Sequence, residues 1–240
     1  MLSSYYVSLS SQLALDKRMS TIAMNVANAN TVGFRAGGVS FETTLSKAGP
    51  TQTAYASSGK DFISTVQGPV SKTDNPLDVA VQGSGWLAIR TPNGVAYTRD
   101  GRLKMLQTGD VQTIEGFPVL DAGNSPIVLD PTQGPPTISR DGMINQGANQ
   151  VGALGLFSID PNASLTRGPN SSVIPSTPAT PILEFSLNGV AQGFIEGANV
   201  NPITELTKLI STSRSFDNVS SMTDTLDSAQ QNAIRTLGGA

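Results

Sequence analysis

From Leu2 to about Ala29 the chain has neither glycine nor proline, and the same holds from Ile203 to Leu237. Between these stretches, turn-forming residues recur every six to ten positions over much of the chain. Glycine and proline are the residues that interrupt helices. A 240-residue chain punctuated in this way is helical at its two ends and something else between them.

In the first stretch apolar residues fall at Leu2, Tyr6, Leu9 and Leu13, then on a shifted seam at Leu15, Met19, Ile22 and Val26. Each set is a +4, +3, +4 series, the spacing of a helical stripe. Leu13 and Leu15 lie on opposite sides, so this helix has more than one apolar face. Asn28-Ala29-Asn30-Thr31-Val32-Gly33 offers left-handed C-caps and predicts its end. At 1.5 Å per residue the helix is roughly 40 Å long.

The second stretch opens at Asn201-Pro202, an N-cap residue followed by proline at the first helical position, with Glu205 adding acid to the first turn. Thr204 stands where a capping box would need Glu or Gln. Leu209, Phe216, Val219, Leu226, Ala233 and Leu237 share one 3–4 ladder, interrupted by Thr212, Thr223 and Gln230. Gly238-Gly239 ends a run of about 35 residues, roughly 50 Å, long enough to suggest coiled coil. Both ladders are diluted by Ser, Thr and Gln, so each helix is expected to be marginal alone. Two readings follow: an antiparallel pair packed on the body of a monomer, or helices held for assembly.

Residues 34–75 are punctuated by Gly37-Gly38, Gly49-Pro50, Ser57-Ser58-Gly59 and Gly68-Pro69. They read as an extended connector with one or two strands such as Asp61–Val66. Residues 76–190 carry turn signals at Asn93-Gly94, Asp100-Gly101, Gly109-Asp110, Glu115-Gly116, Asp141-Gly142 and Asn188-Gly189. Short alternating runs lie among them: Trp86–Arg90, Val95–Arg99, Arg102–Leu106, Val111–Ile114, Phe117–Leu120 and Ile127–Leu129. This spacing predicts an antiparallel β domain. Residues 160–181, with five prolines, are expected to be loop. The fold class is therefore mainly β with α: a central antiparallel β domain flanked by N- and C-terminal helices. The expected domains are a discontinuous helical domain of 1–33 with 196–240, a connector of 34–75, and a β domain of 76–195.

Histidine and cysteine are both absent. That excludes a His-dependent triad, a thiol nucleophile, a disulfide, haem ligation and the usual zinc sites. The net charge of −3 predicts no general attraction to nucleic acid or anionic membrane. The charge is uneven: residues 1–60 carry five Lys/Arg against two Asp/Glu, whereas 181–240 carry three against six. The ends could thus attract each other, or the opposite end of another copy. No stretch approaches the ~18 apolar residues of a membrane span, and no cleavable secretory signal is evident.

The remaining chemical candidates are weak. Ser57-Ser58-Gly59-Lys60 has the Ser-x-x-Lys spacing but sits in a Gly/Ser connector rather than at a helix start. Gly83-Ser84-Gly85 is too short for a phosphate loop, and no helix follows it. Asp100, Asp110, Glu115 and Asp121 could supply a carboxylate pair, yet all fall at turns, where Asp is favoured for local hydrogen bonding. Trp86, Tyr97 and Phe117 could line a sugar or nucleic-acid surface, although on alternating strands they read as packing. Asn162-Ala163-Ser164 fits a glycosylation sequon outside a secretory context. A carbohydrate-binding or carbohydrate-active β domain is the competing class.

Four segments, in order, carry a family resemblance. Met24-Asn25-Val26-Ala27-Asn28-Ala29-Asn30-Thr31-Val32-Gly33-Phe34-Arg35-Ala36 resembles the Asn-rich N-terminal signature of the flagellar rod, hook and hook-filament axial proteins. Asn75-Pro76-Leu77-Asp78-Val79-Ala80-Val81-Gln82-Gly83 is similar to the start of that family's β domain, and Tyr97-Thr98-Arg99-Asp100-Gly101 to the motif that follows. Gly197-Ala198-Asn199-Val200-Asn201-Pro202, leading to Leu209-Ile210 and Arg214-Ser215-Phe216, resembles the C-terminal signature. Only residues 130–190 lack a recognisable motif. A single Asn25 stands where many members have two Asn, and Gly197-Ala198 replaces a Ser. The Thr-Val-Gly-Phe-Arg-Ala form and the length are most similar to a proximal-rod member, with a distal-rod member second.

The resemblance implies a structural rather than enzymatic protein, with no cofactor or metal. It implies export through the flagellar type III apparatus without a cleaved signal, and a place in the basal-body rod. Its implied partners are its own copies and other rod subunits, with no nucleic acid, small-molecule substrate or membrane insertion. The terminal helices are expected to pair as a coiled coil on assembly, through the two helical seams above together with Leu206.

Overall fold

In a computed structural model, residues 2–46 and 53–239 are described, apart from the side chains of 2–4, 46 and 53. Gly49-Pro50 and the side chain of Leu2 lie outside that set. Helix α1 spans Leu2–Ala27 and α2 spans Pro202–Gly238. The strands, in order, are β1 (Gly37–Ser40), β2 (Thr43–Ser46), β3 (Thr53–Ala56), β4 (Lys60–Ile63), β5 (Val70–Lys72), β6 (Val79–Gln82), β7 (Trp86–Thr91), β8 (Gly94–Thr98), β9 (Leu103–Met105) and β10 (Val111–Thr113). They continue as β11 (Thr137–Ile138), β12 (Met143–Gln146), β13 (Asn149–Ala153), β14 (Leu156–Ser158), β15 (Leu165–Arg167), β16 (Val173–Pro175), β17 (Thr180–Pro181), β18 (Gly189–Gln192) and β19 (Phe194–Glu196). The expected architecture, two terminal helices around a mainly β middle, is present.

The chain divides into two compact units. One comprises Met1–Ala27, Gly37–Phe62 and Asn201–Ala240; the other comprises Asn28–Ala36 and Ile63–Val200. In the first, α1 and α2 pack antiparallel. Asn25 near the end of α1 bonds Glu205 in the first turn of α2, while Leu15 and Arg18 share a groove with Lys208, Thr212 and Ser215. Asn201 caps α2, its side-chain oxygen accepting from the amides of Ile203 and Thr204 at 3.1 and 3.2 Å. The apolar ladder of α2 is half-buried at Leu209, Phe216, Val219, Leu226 and Ala233. The interrupting Thr212 is itself buried, its hydroxyl donating to the Lys208 carbonyl four residues back.

On α1 the second seam is the covered one: Ile22 is buried and Leu15, Met19 and Val26 are half-buried. Residues 34–75, expected as a connector with one or two strands, carry β1–β5, with β1 paired to β4 and β2 to β3. Lys17 on α1 holds this segment through the Gly59 carbonyl at 3.0 Å and Asp61 at 3.2 Å.

The second unit is built on a six-stranded sheet in the order β15-β16-β8-β7-β14-β17. Its observed pairings are antiparallel, Ala88 facing Tyr97 in the central pair. Successive side chains of a strand point to opposite faces, and β7 is buried on both. Leu87 and Ile89 join one apolar cluster with Val79, Leu103, Val119 and Ile144. Trp86 and Ala88 join a second with Tyr97, Leu120, Phe157 and Val173.

Two expectations are corrected. Residues 160–181 are not all loop, since β15–β17 lie there; Pro175 ends β16 and Pro181 lies on the edge strand, positions where a missing amide costs no ladder bond. Conversely, Phe117–Leu120 and Ile127–Leu129 form only isolated bridges, because successive residues pair with different segments, Pro118 with Gln112, Val119 with Ile89 and Leu120 with Pro126.

Candidate functional site

The polar residues of the N- and C-terminal signatures gather into two buried knots, one in each unit. In the helical unit Asn25, 3 % exposed, uses its whole amide. Its NH2 donates to the Gly37 carbonyl at 2.9 Å and to Glu205 at 3.1 Å, while its oxygen accepts from the Gly37 amide at 2.8 Å. Glu205 in turn takes Lys208 at 2.6 Å. One asparagine therefore fixes the end of α1, the start of β1 and the first turn of α2.

In the other unit the residues that follow α1 in sequence meet those that precede α2. Glu196 is fully buried; one carboxylate oxygen is in an ion pair with Arg35 at 2.7 Å and the other accepts from Arg99 at 3.1 Å. The Gly68 amide adds a bond at 2.8 Å. Arg99 also donates to the carbonyls of Val81 at 3.1 Å and Gly83 at 2.7 Å, and Arg35 donates to the Val66 carbonyl. Both guanidinium carbons lie over the Trp86 ring, at 5.6 Å for Arg35 and 5.2 Å for Arg99. Burial pushes the Arg99 guanidinium down to about 10 against the pull of Glu196, and lowers Arg35 for the same reason. Guanidinium groups keep their charge in proteins, so the knot holds two cations and one carboxylate, with the face of the indole offsetting part of the surplus.

The remaining motif residues frame this knot or the β body. Gly33, in a left-handed conformation, donates its amide to the Glu196 carbonyl at 2.7 Å. Phe34 is buried beneath Arg167, whose guanidinium lies 4.4 Å from its ring. Asn199 accepts from Ala36 at 2.6 Å and donates to Ser64 at 3.1 Å and Val66 at 2.7 Å. Asn75 forms an Asx turn, accepting from the Leu77 amide at 3.2 Å and donating to Asp78 at 3.0 Å. Gly101 passes the Val79 carbonyl so closely that a Cβ would sit 1.7 Å from its oxygen. Asn28 accepts the Thr31 hydroxyl at 3.2 Å, and Val200 is half-buried. Arg214 is exposed on α2, nine residues beyond Glu205. Arg35 and Glu196, the centre of the second knot, were not among the expected site residues. An Arg directly after the buried Phe34, and a Glu closing the alternating Phe194-Ile195-Glu196 run, are the signals that could have found them.

Of the expected helical interface, Tyr6, Leu9, Leu13, Leu206 and Leu237 are exposed. Of the four carboxylate candidates, Glu115 is exposed and the other three are bound locally. Asp100 is buried in an ion pair with Arg102 at 2.7 Å, Asp110 accepts the Thr108 hydroxyl at 2.6 Å, and Asp121 accepts the amides of Gly123 and Ser125, each at 2.8 Å. Trp86 and Tyr97 are buried, the latter with its ring centroid 5.5 Å from that of Phe157, so neither forms a sugar platform. Among the described residues no His/Cys/Asp/Glu group is placed to hold a metal ion, and no helix is long and apolar enough to cross a membrane.

Residues 6–35 match the family described as flagella basal body rod protein. Residues 80–146 match the flagellar hook protein FlgE/F/G D1 domain, and 191–236 the flagellar basal body rod FlgEFG protein C-terminal family. The chain is 48 % identical to the flagellar basal-body rod protein FlgF of Mesorhizobium japonicum and 45 % identical to that of Rhizobium meliloti, each over 98 % of both chains. Its likeness to the rod protein FlgG of Buchnera aphidicola subsp. Acyrthosiphon pisum is lower, 32 % over 96 % of this chain and 98 % of that one. With both knots inside the matched or flanking segments and FlgF relatives aligned from end to end, the chain belongs to the FlgF family of flagellar basal-body rod proteins.

Proposed function

We propose that the chain is a non-enzymatic subunit of the proximal rod. It is exported unfolded through the flagellar type III apparatus without a cleaved signal peptide. There it joins its own copies and other rod subunits in the helical shaft that transmits motor torque. On this reading residues 1–33 and 196–240 act as one discontinuous inner domain whose helices pair as a coiled coil on assembly, 34–75 is a connector, and 76–195 is the outer β body.

The observation that carries this reading is the thinness of the helical unit's core. Among its described hydrophobic residues Ile22 alone is buried, whereas Tyr6, Leu9, Leu13, Ile203, Leu206 and Ile210 stand exposed. Two helices of 26 and 37 residues with so little apolar burial are poorly stabilised alone, and large exposed apolar stripes mark interaction surfaces. Leu9→Asp and Phe216→Asp are expected to abolish rod assembly and swimming, with the Trp86 fluorescence of the purified chain unchanged. Normal swimming in both variants would overturn the proposal.

A further inference from the structure

Each helix carries an uncovered apolar stripe, and the two stripes have the same spacing. On α1, Tyr6, Leu9 and Leu13 are 39–64 % exposed. On α2, Ile203, Leu206 and Ile210 are 46–76 % exposed. Both run +3 then +4, the step of a coiled-coil seam. One turn beyond the last apolar residue stands Asp16 on α1 and Arg214 on α2, both exposed and neither in an ion pair among the described residues. Of the neighbouring cations, Lys17 holds Asp61, Lys208 holds Glu205, and Arg18 lines the groove with Lys208 and Thr212 on the covered side of the helix pair.

We infer that α1 of one copy seats in parallel along α2 of a second copy, with Tyr6 beside Ile203, Leu9 beside Leu206, Leu13 beside Ile210, and Asp16 within reach of Arg214. The charges set the direction. Parallel alignment brings carboxylate and guanidinium together after three apolar layers, whereas the reverse alignment, with Leu13 beside Ile203 and Tyr6 beside Ile210, leaves Asp16 and Arg214 beyond opposite ends of the contact, too far apart to pair. The stripes do not close within one chain: the covered residues of the pair are others, Leu15, Met19 and Ile22 on α1 and Leu209, Thr212 and Phe216 on α2, with Leu15 and Thr212 lining one groove. The two faces of the contact differ, so each copy added leaves one α1 stripe and one α2 stripe free. Such heterologous contacts propagate into open assemblies. The inference rests on the rod reading and specifies the contact between copies.

The chain has no cysteine, so thiols can be placed without background. Leu13→Cys/Ile210→Cys replaces the unaltered chain in cells, and purified basal bodies are oxidised and immunoblotted. Covalent dimers and larger species from the double variant, absent from either single variant, are expected. A double variant present in the basal bodies without dimers overturns the inference, as does dimerisation of Leu13→Cys alone to the same extent. As a second measurement, Asp16→Arg and Arg214→Asp are each expected to abolish swimming, and the two together to restore it; a pair as defective as either single overturns the contact. Absence of the unaltered chain from purified basal bodies defeats the rod reading itself, a result distinct from presence without cross-links.

Discussion

Arg99 and Glu196, 97 residues apart in sequence, meet at 3.1 Å with side chains 1 % exposed. The pair is one half of a shared carboxylate, whose other oxygen takes Arg35 at 2.7 Å. Burying charge is costly unless it is paired and hydrogen-bonded. Here Glu196 neutralises only one of two guanidiniums, and Trp86 lies against both. The arrangement joins three distant parts of the sequence, since one carboxylate serves both arginines.

Glu196→Gln leaves both guanidiniums buried with no counter-charge. Breaking a buried pair from one side costs about 3–5 kcal/mol. Urea unfolding followed by the fluorescence of Trp86, the single tryptophan, should show a loss of that size. A loss below about 1 kcal/mol would mean that the indole and the backbone carbonyls carry the two cations unaided.

Gly33 and Gly101 are constrained by the backbones they pass, not only by their own dihedrals. Gly33 has φ of 69°, and a Cβ there would lie 2.2 Å from the Asp100 amide nitrogen. Left-handed backbone alone costs a non-glycine residue about 1–2 kcal/mol, and the backbone collision adds to it. Gly33→Ala and Gly101→Ala are expected to lower the thermal midpoint of the β unit sharply. Gly134→Ala, whose Cβ would meet nothing within 4 Å, should leave it unchanged within error.

The Asn25 amide tests whether donors matter at the helical knot. Asn25→Ala removes three hydrogen bonds from a buried position, a loss of about 1–3 kcal/mol. Asn25→Asp keeps the shape but turns a donor into a carboxylate facing Glu205, so it should be the more damaging of the two. Helix melting by circular dichroism at neutral pH gives the order. Equal losses would show that the Glu205 contact contributes little.

Much of this was legible from local chemistry. The Asn201-Pro202 start of α2, the end of α1 before Asn28, and the β7–β8 hairpin around Asn93-Gly94 all follow from caps, turns and periodicity, because those signals act within a few residues. What escaped depends on partners distant in sequence. Glu196 reads as one acid among several until Arg35 and Arg99 surround it. The short strands β15 and β16 are hidden by prolines that fall at strand ends, and the bridges at Val119 and Val128 depend on neighbours that no alternation reveals. The ladder on α2 is visible in the sequence, but the role of its polar interruptions is not.

Thr212 shows that role. It is 6 % exposed on the face of α2 turned to α1, and its hydroxyl donates to the Lys208 carbonyl at 2.8 Å, within its own helix. Thr223 repeats the device on the Val219 carbonyl at 2.9 Å. Because each bond is internal, the hydroxyl gives nothing to the partner helix, and its methyl group is what packs. A side chain satisfied in this way contributes little to stability, and replacing it with an apolar group of the same shape is nearly neutral or stabilising. Thr212→Val keeps the β-branch, adds a methyl to the seam and leaves no partner group orphaned except a carbonyl already bonded in the helix. The α1–α2 pair should therefore unfold at an equal or higher temperature, with a gain of up to about 1 kcal/mol in helix melting. A loss above that size would show that the hydroxyl serves α1 after all.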